Sequence, residues 1–181
     1  MERRTKVTHE QEHSAAAVDG QSIDVVVAPR LHVVLDRPAI AGNVGACVRL
    51  CAAVGAALHV CGSSLSPDDR EMWRAGLDYW ANARVHFHDS LAACLALLGR
   101  DPWIIEVGGS HTPWQVQLAA GDVVVLGPEK GSVDDALRAR LPERILTLPQ
   151  QGAVRSLNLA QVAAVVAFEA VRQQTSGLAS P

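Results

Sequence analysis

The chain has 181 residues, enough for one domain with a sizeable core, and 49% of them are hydrophobic, which suits a globular protein and not a disordered one. Its net charge of −3 excludes a generic polyanion binder, so any affinity for nucleic acid has to come from local cations. No apolar run reaches the roughly 18 residues of a membrane span, and Met1 to Gln21 lacks the apolar core of a signal peptide, so the expected location is the cytoplasm, away from membranes.

Residues 1–29 read as an N-terminal tail or arm. Met1 to Gly20 is polar, of mixed charge and without a period, which predicts a mobile segment; Ile23 to Val27 fits a short extra strand or an extended arm. The domain proper is expected over residues 30–175, with 176–181 as a C-terminal tail. Leu31–Leu35 reads as a strand. Asn43–Val54 reads as a helix, with Val44, Cys47, Val48, Leu50, Cys51 and Val54 on one broad apolar face. Ala57–Cys61 is the next strand. Pro67–Gly76 is a helix with Pro67 near its first turn and Asp68 and Asp69 at its positive end. Arg84–Phe87 is a strand, and Asp89–Leu98 is a helix capped by Asp89 or Ser90 and stopped by Gly99. Trp103–Val107 and Asp122–Leu126 are strands, Val133–Arg140 a helix, Arg144–Leu148 a strand and Ser156–Gln174 the last helix. This alternation predicts an α/β fold, a parallel sheet with helices on both faces.

The last helix carries Leu157, Leu159, Val162, Ala163, Val165, Val166, Ala167, Phe168, Ala170 and Val171, which leaves little polar face. A helix apolar nearly all round is covered on several sides, and in a small domain one of those sides suits a subunit interface. Cys47, Cys51, Cys61 and Cys94 make no disulfide framework and read as small buried apolar residues in a reducing compartment. A zinc site needs a tighter cluster, and His86 and His88 on one strand add little, so no metal is expected. The cations are almost all arginine: 14 against Lys6 and Lys130. Arginine suits bidentate phosphate contacts, though a coding bias gives the same excess.

Three polar loops stand at strand ends. Asn43-Val44-Gly45-Ala46-Cys47-Val48-Arg49 follows the first strand, and Leu126-Gly127-Pro128-Glu129-Lys130-Gly131 follows the strand at Asp122. The third runs from Gln151 through Ser156-Leu157-Asn158 to Gln161, with Ser156 as the expected N-cap of the last helix. Loops at the ends of parallel strands can converge on one site. No Gly-x-Gly-x-x-Gly follows the first strand and no P-loop lysine and serine are present, so dinucleotide and nucleoside triphosphate sites are disfavoured.

Taken in order, these blocks resemble the SPOUT class of RNA methyltransferases, in particular the SpoU/TrmH branch of ribose 2′-O-methyltransferases. Asn43-x-Gly45-x-x-x-Arg49, Gly127-Pro128-Glu129 and Ser156-Leu157-Asn158 look like that branch's three motifs. Arg74-Ala75-Gly76-Leu77-Asp78-Tyr79 resembles a segment of the TrmL-like tRNA wobble-nucleotide enzymes, and the likeness runs from about Leu31 to Gln174. It implies a C-terminal deep trefoil knot, the SPOUT or α/β-knot fold, which local periodicity cannot reveal. It also implies a homodimer in which the first and last helices meet, and S-adenosylmethionine as cofactor.

The resemblance assigns residues as well. The cofactor cup would be built from Val107, Gly108, Gly127, Glu129, Leu148, Ser156 and Leu157, with Gly109 allowing close backbone approach. The catalytic set would be Arg49, Asn43, Glu129, Ser156 and Asn158. Arginine's pKa above about 12 argues against an ordinary general base and for a role in holding the substrate phosphate and orienting the ribose hydroxyl. Arg49, Arg74, Tyr79 and Arg155 would meet RNA, with Arg70, the tail cations Arg3, Arg4 and Lys6, and the flat face of Trp80 as additions. Snorkelling arginines and packed aromatics are the plain structural alternatives. The chain departs from the pattern at Ser132, where the glycine comes one place early as Gly131, and at Ala160, Ser110 and His111. These departures bear on the RNA target more than on methyl transfer. The expected partner is tRNA, methylated at the wobble nucleotide. Alternatives are ribosomal RNA, including an antibiotic-resistance role, and a non-catalytic RNA-binding dimer.

Overall fold

The computed structural model describes residues 28–152 and 156–176. The expected mobile arm, the strand at Ile23–Val27 and the site residue Arg155 lie outside the described residues.

The described residues form six strands and five α-helices, alternating except where β5 follows β4 directly: β1 Leu31–Asp36, α1 Ala41–Val54, β2 Ala57–Cys61, α2 Arg70–Gly76, β3 Arg84–His88, α3 Leu91–Leu98, β4 Trp103–Ile105, β5 Asp122–Leu126, α4 Asp135–Arg140, β6 Ile145–Leu146 and α5 Leu159–Thr175. Short 3-10 turns at Leu77–Ala81, Pro113–Gln115 and Pro142–Arg144 join to these elements without any local period that announces them. The strands form one sheet in the order β3-β2-β1-β5-β4-β6, and every pairing is parallel. Strand β1 is central and buried on both faces, as a parallel sheet covered by helices requires.

The period of two sorts each strand between two cores. Val33, Leu35, Leu58 and Val60 face α1 and α5; Val34, Cys61, Val123 and Val125 face the side of α3 and α4. Helices therefore cover both faces. On the α3 side lies His59, 3% exposed, between His32, His86 and His88. Burial, then the neighbouring His32, His86 and His88, pull its pKa down to about 3, so its ring is neutral in the folded protein near neutral pH.

Side-chain caps set the helix starts. Asp69 accepts from the Glu71 and Met72 N–H groups and Asp134 from Leu137, so α2 and α4 begin at Arg70 and Asp135 rather than at Pro67 and Val133. Ser90 caps α3, and Gly99 ends it with φ 62°. Strands β4 and β6 are shorter than expected. Beyond Ile105 the ladder gives way to single bonds, Glu106 N–H to Leu146 O and Thr147 N–H to His111 O.

Helix α1 packs across α2 at a glycine. A Cβ on Gly45 would stand 2.5 Å from Ala75 Cβ and 2.5 Å from Met72 O, too close for any side chain. Gly45→Ala is therefore expected to lower unfolding stability by about 1–3 kcal/mol, the scale of an overpacked core. Urea titration checks this; a midpoint equal to wild type would show that the α1–α2 contact is slack.

Candidate active site

A cleft of about 890 Å³ opens at the C-terminal ends of β4, β5 and β6 and reaches the start of α5. This is where an open parallel sheet places its ligands. The cleft is lined by Val107, Gly127, Glu129, Leu148, Ser156 and Leu157, six of the seven residues expected to hold the cofactor. Gly108 is not among them; it makes the turn beyond Val107 in the left-handed region, φ 85°. Gly109 is needed for a different contact: a Cβ there would lie 2.6 Å from Ile145 O, so it lets β4's continuation lie against β6.

The mouth of the cleft is held by one carboxylate. Helix α1 has Ile40 at its N-cap, with no side-chain cap and no acid in its first turn. Glu129 supplies what is missing. Its Oε2 accepts the Ala39 N–H at 2.9 Å, and its Oε1 accepts the Ile40 N–H at 3.2 Å and Asn43 Nδ2 at 2.9 Å. Burial pushes the Glu129 carboxyl up, but the bonds from Ala39, Asn43 and Ile40 outweigh it, and its pKa is lowered overall.

Asn43, 6% exposed, passes the connection on: its Oδ1 accepts Asn158 Nδ2 at 2.9 Å. Asn158 in turn accepts the Ala160 and Gln161 N–H groups at 2.9 and 3.3 Å. Asn158, not Ser156, is thus the N-cap of α5, and the helix starts at Leu159, not at Ser156. Ser156 is an exposed loop residue on the cleft wall.

Two further residues shape the cleft. Glu106, at the end of β4, accepts the Val133 N–H at 2.8 Å and anchors the loop after Glu129. No local pattern marks this bond, because the carboxylate simply follows an apolar strand. Gln150 Oε1 is buried with no hydrogen-bond partner. Within the cleft it suits a ligand's N–H donor.

The cleft fits S-adenosylmethionine on these grounds. It has an unpartnered acceptor suited to an adenine amino group, apolar walls at Ile105, Leu148 and Val162, and a carboxylate at Glu106 suited to a cationic group. A second cavity, about 900 Å³, lies beside α3 and α4 and includes Asp36, Asp89, Asp134 and Asp135 against Arg37 and Arg140. That excess of carboxylates suits neither RNA phosphate nor a nucleotide.

The residues expected to meet RNA lie elsewhere. Arg49 is on the exposed side of α1, about 9 Å along the axis from Asn43, and does not line the cleft. Its guanidinium stands 5.7 Å from the centre of the Tyr79 ring. Arg74 is exposed on α2. Trp80 stacks on Trp73, ring centroids 4.3 Å apart, so one of its faces is already used.

A doubly covered parallel sheet with a cleft at its strand ends places the chain among α/β proteins that bind ligands there, and the Glu129–Asn43–Asn158 chain holds the mouth of that cleft. The chain belongs to the SpoU methylase family, enzymes that transfer a methyl group from S-adenosylmethionine to RNA: the model of the SpoU rRNA Methylase family matches residues 30–168. It is 38% identical over 144 residues to the tRNA (cytidine(34)-2′-O)-methyltransferase of Methylovorus glucosotrophus, covering 78% of this chain and 94% of that protein. It is 40% identical over 147 residues to the enzyme of that name from Burkholderia pseudomallei, again covering 78% and 94%. Among solved structures, one described as giving insight into 2′-OH methylation of C/U34 on tRNA has a TM-score of 0.75 and 36% identity, covering 81% of this chain and 97% of its own. The SpoU methyltransferase AviRb of Streptomyces viridochromogenes, in complex with AdoMet, has a TM-score of 0.73 and 25% identity, covering 84% of this chain and 64% of its own.

The Glu129 clamp gives a pH prediction. Its folded pKa is lowered, so its contribution is present above the ordinary carboxylate range and is lost as pH falls through that range toward the folded pKa. Glu129→Gln is expected to lose about 1–2 kcal/mol at neutral pH, the scale of a lost helix cap. It should also flatten the fall in stability below about pH 5. Denaturation midpoints of both proteins from pH 7 to pH 3 check this; parallel curves would remove Glu129 from the acid response.

Proposed function

We propose that the protein methylates the ribose 2′-OH of the wobble nucleotide, cytidine or uridine 34, in tRNA, and that it acts in the cytoplasm as a homodimer. The observation that carries this reading is end-to-end likeness. The chain spans 94% of the tRNA (cytidine(34)-2′-O)-methyltransferases of two organisms and 97% of the C/U34 structure, but only 64% of AviRb. The part of AviRb beyond the shared domain has no counterpart in that match. Methylation of ribosomal RNA, the activity in the matching family's description, is the second reading.

When bound, S-adenosylmethionine supplies an electrophilic methyl group with a sulfide as leaving group. Leu148, Leu157 and Val162 would keep water from one side of it, and Gln150 Oε1 would accept a hydrogen bond from one of its N–H groups. Asn43 and Asn158 hold the cleft mouth rigid, and Ser156 beside them offers its hydroxyl to the incoming ribose. Arg49 binds a phosphate of the RNA and turns the 2′-OH into line, while the proton leaves to solvent. Rate comes from positioning, which in-line displacement rewards. Arg74 and Tyr79 extend the RNA contact beside Arg49, and Arg155 belongs to the same proposal.

The dimer and the knot are parts of this reading. Val165 and Phe168 are 44% and 57% exposed on α5 while Ala163, Val166, Ala167 and Ala170 are buried. An exposed Phe and Val on an otherwise packed helix suit a partner's α1 and α5. Strand β6 is at one end of the sheet, yet α5 packs on α1 and β1 at its centre. That return path supports a chain threaded through an earlier loop.

Arg49→Ala is expected to reduce methyl transfer at least 100-fold while changing S-adenosylmethionine affinity by less than about threefold, since Arg49 lies outside the cleft. Nucleoside mass spectrometry of tRNA and calorimetric cofactor titration read the two quantities. Equal losses in both would overturn the division of roles, and methylated ribosomal RNA with unmodified tRNA would overturn the substrate. Phe168→Glu should convert the dimer to monomer in light scattering; a monomeric wild type at micromolar concentration would refute the dimer.

A further inference from the structure

From the sequence, the cysteines and histidines have no metal-site spacing. The parallel register changes that. His59 lies opposite His86, and Cys61 opposite His88, so His59, Cys61 and His88 share the sheet face on which α3 lies. Cys94 of α3, fully buried, completes the group. Ligand atoms of His59, His88 and Cys94 all lie within 4.8 Å of one another; Cys61 stands just outside this trio, opposite His88 in the register and in one buried cluster with Cys94. Among the described residues no other set of three His, Cys, Asp or Glu side chains comes together this way.

We propose that His59, His88, Cys94 and Cys61 form a tetrahedral site for a borderline-soft divalent transition metal of the Zn²⁺ class. His59 Nδ1 and His88 Nε2 face each other at 2.9 Å. In a tetrahedral N₂S₂ set with the usual bond lengths, neighbouring ligand atoms stand about 3.3–3.7 Å apart. The two rings need to part slightly and Cys61 to turn its thiol in toward the other three, all side-chain rotations. The other ring nitrogen of His59, Nε2, lies 2.9 Å from His32 Nδ1. With Nε2–H donating to His32, the Nδ1 lone pair is turned toward the metal. A ligating imidazole whose second N–H is held in this way is the usual arrangement around bound zinc. The protons of the two thiols go to solvent as the metal binds, and no redox change is involved. Access is from the sheet's end: β3 is an edge strand with His86 and Phe87 exposed, and His88 is half-buried. None of the four ligands lines the cofactor cleft. The metal is therefore structural, pinning edge strand β3 to β2 and α3.

Cobalt(II) is the probe. Reduced, chelator-treated full-length protein is titrated with Co²⁺ and then Zn²⁺. The expected result is one Co²⁺ per chain, with a thiolate-to-cobalt charge-transfer band and tetrahedral d–d bands that one equivalent of Zn²⁺ removes. Zn²⁺ should raise Tm. Cys94→Ser should lose the charge-transfer intensity in part and bind at least tenfold more weakly. His32→Ala should weaken binding about 10–100-fold through the lost orienting bond. His86→Ala, outside the ligand set, should bind as wild type. X-ray absorption of the wild-type Zn²⁺ form, which depends on no variant folding, should show two nitrogen and two sulfur neighbours. Octahedral or substoichiometric cobalt, a sulfur-free shell, or undiminished binding by folded Cys94→Ser would each overturn the proposal.

Discussion

Helix α1 begins without a cap of its own, and the site exists because a distant carboxylate caps it. Ile40 cannot accept a hydrogen bond through its side chain, and the first turn has no acid. Glu129, from the loop after β5, accepts two backbone N–H groups there and the Asn43 amide. A carboxylate at a helix N-terminus is favoured both by the unsatisfied N–H groups and by the helix dipole. Here that local preference fixes a long-range contact. It ties the β5 loop to the β1–α1 junction, and Asn43 extends the tie to the start of α5. Three segments far apart in sequence are thereby held at one cleft mouth.

The same bonds limit the chemistry those residues can perform. Glu129 uses both oxygens on three donors and is held ionised, so it is a weak proton acceptor at neutral pH. Asn43 uses its amide nitrogen on Glu129 and its carbonyl on Asn158. Asn158 uses its carbonyl as a helix cap. These three side chains are committed to architecture. Under the proposed function they contribute by keeping the cleft in one shape, and rate arises from alignment, not from a strong base at the cleft mouth.

Much of this was legible along the chain. Every strand and α-helix has a period or a cap signal at its position, and β2 and β5 match their expected limits. What failed failed for tertiary reasons. Ser156 and Asn158 are both competent N-caps by residue type. Asn158 caps because Asn43 holds its amide and leaves its carbonyl turned to the helix. Strand β6 is short because its neighbour β4 ends at Ile105 and only single bonds continue. Glu106 and Val133 are 27 residues apart, and no local pattern announces their bond. The histidine row is similar: His32, His59 and His88 are spaced by 27 and 29 residues and meet only through the parallel register of β1, β2 and β3.

Asn43 and Arg49 stand in one motif yet face different parts of the molecule. Asn43 and Arg49 belong to one short segment, but six residues on a helix separate them by about 9 Å along the axis and by well over a full turn around it. Asn43 is turned inward to Glu129, and Arg49 outward over Tyr79. Gly45 between them is the point where α2 presses against α1, bringing the Arg74–Tyr79 segment alongside. One helix therefore has three separate duties along its length. Its first turn closes the cofactor cleft, its glycine admits α2, and its outer face carries the arginine beside the aromatics that α2 delivers. Under the proposed function, cofactor and RNA lie on different sides of α1. On that proposal they are joined by the ribose of the bound RNA and, in the proposed dimer, by the second copy of the same helix.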